Sequence, residues 1–168
     1  MTQPEPQKAS DLLLDGNDFI RLIRSCAWSF LSRTQGFPPA LPEAGRCCPL
    51  PMAALKIQNL EKFHKLLQEF FALDRLQPPE SDEEIGSYAE RLLAAWAEGD
   101  GEIIFHTSGS TGRPKASRHS LEMLRQEAEV VSALFGPLRR VAAAVPLLHS
   151  YGFVFGLLLP KLRKIEAL

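Results

Sequence analysis

The sequence predicts an α/β domain, with a helix-rich first hundred residues followed by strand–loop–helix units of a mostly parallel sheet. Three observations carry that expectation. Apolar residues recur at helical spacing as far as Trp96, the period shortens at Glu102, and a Ser/Thr/Gly-rich loop then joins a short apolar strand to the next amphipathic segment.

The first helix is read from Asp18, taken as its N-cap. Phe19, Ile20, Ile23, Cys26, Ala27, Phe30 and Leu31 form its apolar stripe, and Gly36 ends it. Five prolines in 37–51 exclude regular structure there. A second helix is expected from Ala53 or Asn59 to Leu73, burying Leu60, Phe63, Leu67, Phe70 and Phe71, with His64 on its polar side. Ser81 and Glu84 have capping-box spacing and open a third helix through Ile85, Tyr88, Ala89, Leu92, Leu93 and Trp96. After the turn at 99–101, residues 102–107 read as a strand. Ser120 caps a fourth helix carrying Leu121, Leu124, Ala128, Val131, Leu134 and Phe135. Residues 140–145 are a second apolar strand, 149–152 a junction and 153–162 a last helix. Two parallel strands alone would leave a free edge beside that apolar helix, which predicts poor solubility or dependence on a partner.

Composition narrows the function classes. Hydrophobic residues make up 45% and charged residues 23%, as in ordinary globular proteins. A net charge of −1 gives no general attraction to nucleic acid or an anionic membrane. Three cysteines make no even disulfide set, and the adjacent Cys47 and Cys48 lack the spaced partners of a zinc site, so a reduced, cytoplasmic protein is expected. The start, MTQPEPQKAS, lacks the basic and apolar regions of a secretory leader. Residues 141–160 carry no charge and approach the length of a membrane span. Pro146, His149, Ser150, Tyr151 and Gly152 interrupt that run, which suits a strand, a loop and a helix better than one spanning helix.

The chemistry concentrates in 107–115, TSGSTGRPK. Gly109 and Gly112 let backbone approach a bulky anion, and Thr107, Ser108, Ser110 and Thr111 add hydroxyl donors. Lys115 brings a positive charge and Pro114 stiffens that end. Composition alone also allows a flexible surface turn. A Walker loop is excluded, because the glycines are three apart and Ala116 follows the lysine where a hydroxyl is needed.

The order of these residues is more specific than their composition. The string resembles the phosphate-binding signature of the adenylate-forming superfamily of acyl-CoA synthetases, aryl-CoA ligases, luciferases and peptide-synthetase adenylation domains, usually TSG(S/T)TGxPKG; Ala116 departs from the final glycine. Downstream, PLLHSYGF at 146–153 is similar to the superfamily's next motif, and His119 falls where many members have a histidine before a helix. The resemblance covers about 102–162, and the short leader with the run LRQEAEVVSALFG at 124–136 looks most like small bacterial acyl-AMP ligases of carrier-protein-dependent lipid or polyene pathways.

The resemblance implies ATP and Mg2+ as cofactors, a carboxylic acid substrate, and coenzyme A or an acyl carrier protein as acceptor. It assigns Thr107, Ser108, Gly109, Ser110, Thr111, Gly112 and Lys115 to the ATP phosphates, and His149, Tyr151 and Gly152 to the acyl pocket. On this reading 1–101 is a helix-rich N-terminal region and 102–168 the start of an AMP-binding core, together a partial N-terminal subdomain of the ligase fold. No catalytic or metal-binding residue is assigned. The family's adenine turn with its metal-binding Glu, the ribose-binding Asp and the catalytic lysine have no counterpart in these 168 residues. The expectation is therefore a truncated N-terminal portion, inactive alone or served by a complementing chain. The alternative is a non-catalytic remnant or interaction module that keeps the phosphate loop. His106 is read as a packed core or loop histidine, His64 as solvated, and His119 as a helix cap or ligand contact.

Overall fold

Helix α1, Gly16–Gln35, begins two residues before the expected cap, Asp18. Asp15 accepts from the backbone N–H of Asn17 (2.9 Å) and Asp18 (3.2 Å), while Asp18 accepts from the Asp15 N–H (2.9 Å). Two carboxylates thus satisfy each other's free donors at the helix start. The computed structural model describes residues 14–35, 51–108 and 114–167. The proline-rich segment before Pro51, with Cys47 and Cys48, lies outside the described residues.

Beyond it a single 3-10 turn, Met52–Leu55, precedes α2, Leu60–Phe70. Asn59 caps α2, its side chain accepting from the Lys62 N–H at 2.8 Å. Helix α3 spans Ile85–Glu98 and buries Ile85, Tyr88, Ala89, Leu92 and Trp96, the residues its periodicity predicts. The expected Ser81–Glu84 capping box does not form, since the cap residue Glu84 makes no side-chain capping bond. That stretch serves the 3-10 turn instead. The carbonyls of Glu83 and Ser81 each accept at 2.8 Å, from the N–H groups of Met52 and Ala53, and the Glu83 carboxylate holds Arg91 at 2.8 Å.

His64 is buried, contrary to its predicted solvated position. It lies beside Phe63 and Leu67, and the chain returns over it. Nδ1 meets the Tyr88 hydroxyl at 2.7 Å and Nε2 the Leu76 carbonyl at 2.9 Å. Burial pushes its pKa below the usual histidine value; the Leu76 bond opposes this and the Arg91 charge adds to it.

Strand β1, Glu102–Ser108, pairs antiparallel with β2, Pro114–Ser120, in register from Glu102 opposite Ser120 to Ser108 opposite Pro114. The phosphate motif therefore turns a hairpin rather than leading from a strand into a helix. Helix α4, Leu121–Leu134, starts only after β2, with Ser120 capping it as predicted through a 3.3 Å bond from the Met123 N–H. Parallel pairing among the described residues is limited to β3, Arg140–Val141, against β4, Glu166–Ala167. The mostly parallel sheet and the 140–145 strand are corrected accordingly.

Residues 150–163 make one helical run: α5, Ser150–Phe153, a π-helical turn, Val154–Leu158, and α6, Leu159–Arg163. Pro160 brings no N–H to the preceding turn, and the Arg21 guanidinium donates to the Gly156 carbonyl, four residues upstream, at 2.9 Å. Lys161 bridges back to Asp15 (2.6 Å) and to Asp18, tying this run to the start of α1. Its pKa is raised; burial opposes the charge, but the bonds to the two aspartates outweigh it. The run packs on α4 and meets α1 through Arg21 and Lys161 and α2 through Phe70, with Phe153, Val154, Leu157, Leu158 and Leu159 in the core. Within the run Tyr151 is exposed, and other exposed large apolar residues are Trp28 of α1, Met123, Val130 and Leu134 of α4, Phe135 and Val145. No helix among the described residues is long and apolar enough to cross a membrane.

One aromatic core joins these elements. Phe19 stacks on Phe71 at 4.8 Å and meets Trp96 at 5.7 Å; Phe70 meets Phe105 at 5.6 Å, and Phe105 meets Phe153 at 5.8 Å. Phe105→Ala removes a ring shared by β1, α2 and α5, and about 3–5 kcal/mol of stability is expected to go with it, read from urea unfolding. A second expectation concerns pH. The unfolded His64 takes up a proton near pH 6.5 or so, whereas the folded, buried ring resists it. Stability is thus fully present above that pH and falls as pH drops through the lower folded value. The urea midpoint should decline from roughly pH 7.5 to 5.5, and His64→Gln should flatten the slope.

Candidate functional site

Two sequence motifs are brought to one side of the aromatic core. Phe105 lies two residues before Thr107, and Phe153 directly follows Gly152. Their edge-to-face contact at 5.8 Å anchors the phosphate hairpin to the turn that carries His149 and Tyr151.

On the hairpin, Ile103 and Phe105 point inward and His106 outward, following the period of a strand. His106 is exposed, which corrects its reading as a packed histidine. The residues opposite Ile103 and Phe105 are His119 and Ser117, so both lie on the inner face. The His119 ring packs on Phe105 at 5.5 Å and Nε2 bonds the Ser117 hydroxyl at 2.9 Å. His119 therefore neither caps α4 nor faces outward. On the outer face Arg118 reaches diagonally to Glu102 at 2.6 Å.

The register sets Thr107 opposite Lys115 and Ser108 opposite Pro114. The ends of the nine-residue motif are thus cross-strand neighbours, and Lys115 is exposed at the base of the loop. Gly109, Ser110, Thr111 and Gly112 lie outside the described residues. A proline is tolerated at the first residue of β2, where its missing N–H costs the ladder least.

The second motif has a different local logic. His149 precedes α5 and is exposed, with no side-chain capping bond. Tyr151 is 71% exposed and stacks on Phe155 at 6.1 Å. Gly152 is buried for packing, since a Cβ there would lie 2.1 Å from the Pro146 carbonyl oxygen. Gly156, one turn on, meets the same segment: a Cβ would sit 2.7 Å from that of Ala143 and 2.8 Å from Leu147 Cδ2. The glycines let residues 143–147 lie flat on the helix, and Ser25 of α1 secures them by accepting from the Leu147 N–H at 2.9 Å. Gly152 thus has a structural duty the motif did not disclose.

Between α1 and the 143–147 segment runs an open groove of about 410 Å3, lined by Arg21, Arg24, Ser25, Trp28 and Ala143 to Leu147. It does not include His149 or Tyr151. Strand β2 and the Ser117–His119 contact are what sequence reasoning missed. The stretch PKASRHS has no apolar alternation, so its only available signal was the apolar strand before it, which needs a partner.

The chain is similar to two curated proteins. It is 35% identical over 159 residues to the 4-coumarate--CoA ligase of Halorhodospira halophila, a match covering 88% of this chain and 40% of that ligase. It is 39% identical over 69 residues to the 4-coumarate--CoA ligase of Cereibacter sphaeroides, covering 39% of this chain and 17% of that protein. No family model and no solved structure matches. The chain spans about two-fifths of the length of the Halorhodospira ligase. With TSGSTGRPK closing a hairpin and the His149 motif locked to it through Phe105 and Phe153, the chain belongs to the adenylate-forming superfamily of AMP-binding acyl-CoA synthetases and ligases.

Proposed function

We propose that this chain carries the ATP-phosphate-holding part of an acyl- or aryl-adenylating ligase. The observation that supports it is the register that sets Thr107 against Lys115, so that the whole signature becomes one closed loop with a cation at its base. In such a ligase a carboxylate oxygen attacks the α-phosphorus of ATP, and pyrophosphate leaves as the acyl-adenylate forms. A thiol of coenzyme A or of a carrier protein then takes the acyl group and releases AMP. Charge grows on the leaving phosphates in the first step, where preorganised N–H and hydroxyl donors and a lysine stabilise it most. Residues 107–112 supply the donors, and Lys115 is the cationic clamp.

His149 and Tyr151 are the further candidates, as one wall of the acyl pocket. Both are exposed, so the opposite wall comes from ligase sequence outside this match. Mg2+, which the resemblance implies, finds no group of three His, Cys, Asp or Glu among the described residues. Contacts to adenine and ribose are also assigned to other ligase sequence. Losing such orienting contacts commonly costs many orders of magnitude in rate. The 168 residues by themselves therefore hold phosphate without turning over. A reading as an interaction module that keeps only the loop shares the binding and lacks the chemistry.

The experiment is nucleotide binding beside ATP–pyrophosphate exchange. ATP should bind the 168-residue chain weakly, and Lys115→Ala should weaken it about tenfold, near the 1.5–3 kcal/mol of a hydrogen bond to a charged group. Exchange with 4-coumarate and a panel of other carboxylic acids should stay at background. Clear exchange by this chain would refute its inactivity alone, and ATP binding indifferent to Lys115 would remove the phosphate assignment.

A further inference from the structure

Helix α1 carries a second face beside the one it buries. Arg21, Arg24, Ser25 and Trp28 stand at helical steps from one another, so they share one stripe. From Phe19 to Gln35 the helix has three arginines and no Asp or Glu, in a chain whose net charge is −1. The stripe forms one wall of the open groove of about 410 Å3, and residues 143–147 form the other. No acidic side chain lines that groove, whose volume is in the range of small-ligand sites. Trp28 is 45% exposed and Val145 43%, so an indole and an aliphatic wall are both open to a ligand.

The cationic end of the stripe is held in place. Arg21 donates from Nη2 to the Gly156 carbonyl at 2.9 Å, which uses one of the guanidinium's several donors. Burial lowers its pKa; the Asp18 charge opposes this, but the Asp18 carboxylate is also bonded to Lys161. A cation partly removed from water in this way gains from an anion set beside it. Ser25 accepts from the Leu147 N–H at 2.9 Å, and its own hydroxyl proton is left to donate.

We propose that this groove binds a small aromatic carboxylate, with the carboxylate on Arg21 and Arg24 and the ring between Trp28 and Val145. Guanidinium groups match a carboxylate with paired N–H donors, and an indole face receives a flat ring. Arg24 and Trp28 are separated by about 6 Å along the helix axis, the reach of a carboxylate a few bonds from its ring. A nucleotide suits the groove less well, because its ribose and phosphate oxygens would meet Val145 and Pro146 without partners. No residue of 107–115 lines the groove, nor does His149 or Tyr151, so the site is separate from the phosphate loop and the acyl wall.

The two tryptophans make the test direct, since each gives one indole N–H signal in a 1H–15N spectrum and Trp28→Phe identifies its own. Trp96 is buried and donates to the Glu102 carbonyl at 2.8 Å, so its signal reports the fold. Titrating the 168-residue chain with 3-phenylpropanoate should move the Trp28 signal with a Kd of about 1 mM and leave Trp96 in place. The alcohol 3-phenylpropanol keeps the ring without the charge and should bind about tenfold more weakly, as should the acid to Arg24→Gln. Val145→Asp, at an exposed position, sets a like charge in the groove and should weaken the acid at least as much. A Trp28 signal unmoved at about 20 mM acid, well above that Kd, overturns the site. Equal binding of alcohol and acid, or undiminished binding by both variants, overturns it too. AMP binding more tightly than the acid overturns the carboxylate in favour of a nucleotide. A Trp28 signal that shifts with protein concentration alone overturns it in favour of a second copy of the chain.

Discussion

The rings of Phe70, Phe105 and Phe153 are the contact on which the rest of the molecule depends. Each comes from a different element, and each ring touches the other two at centroid distances of 5.6 to 6.2 Å. Phe70 continues the cluster to Phe71, and through it to Phe19 and Trp96 on α1 and α3. Helices from the first hundred residues are thereby bonded to the strand and the helix that carry the two motifs. Polar ties join the same two halves, from Lys161 to Asp15 and Asp18, from Arg21 to Gly156 and from Leu147 to Ser25.

From that junction the two motifs receive different treatment. The hairpin is fixed by the contact of Phe105 with His119 and by its seven-pair ladder. The His149 turn is fixed by close backbone approach, which Gly152 and Gly156 permit and Arg21 supports at the turn before Pro160. Of the apolar residues left exposed, Met123, Val130 and Leu134 lie on α4 and Tyr151 on the last helical run. They are as firmly placed as the motifs, since Arg163 ties the two helices together.

Much of this was legible beforehand, for identifiable reasons. The stripes of α1 and α3 follow from 3.6-residue periodicity, and Ser120 and Asn59 cap helices because their side chains suit free N–H groups. The departures also share a cause. Ser81 has capping-box spacing, but the backbone there is engaged by Met52 and Ala53, some thirty residues away. His64 sits at a helix boundary between faces, and whether it is buried depends on Tyr88 and Leu76 arriving over it. Strand β2 is polar throughout and becomes a strand only because β1 offers it a ladder.

The sequence by itself determined the family and the order of the helices, since these depend on local period and on the identity of a short string. Tertiary structure decided that the string closes a hairpin, that Gly152 is needed for packing, that the 150–163 run packs on this chain's own helices, and that Met123, Val130 and Leu134 of α4 stay exposed. Those outcomes turn on contacts between residues distant in the chain. A local pattern can state that a side chain is apolar, but only the packed fold determines what covers it.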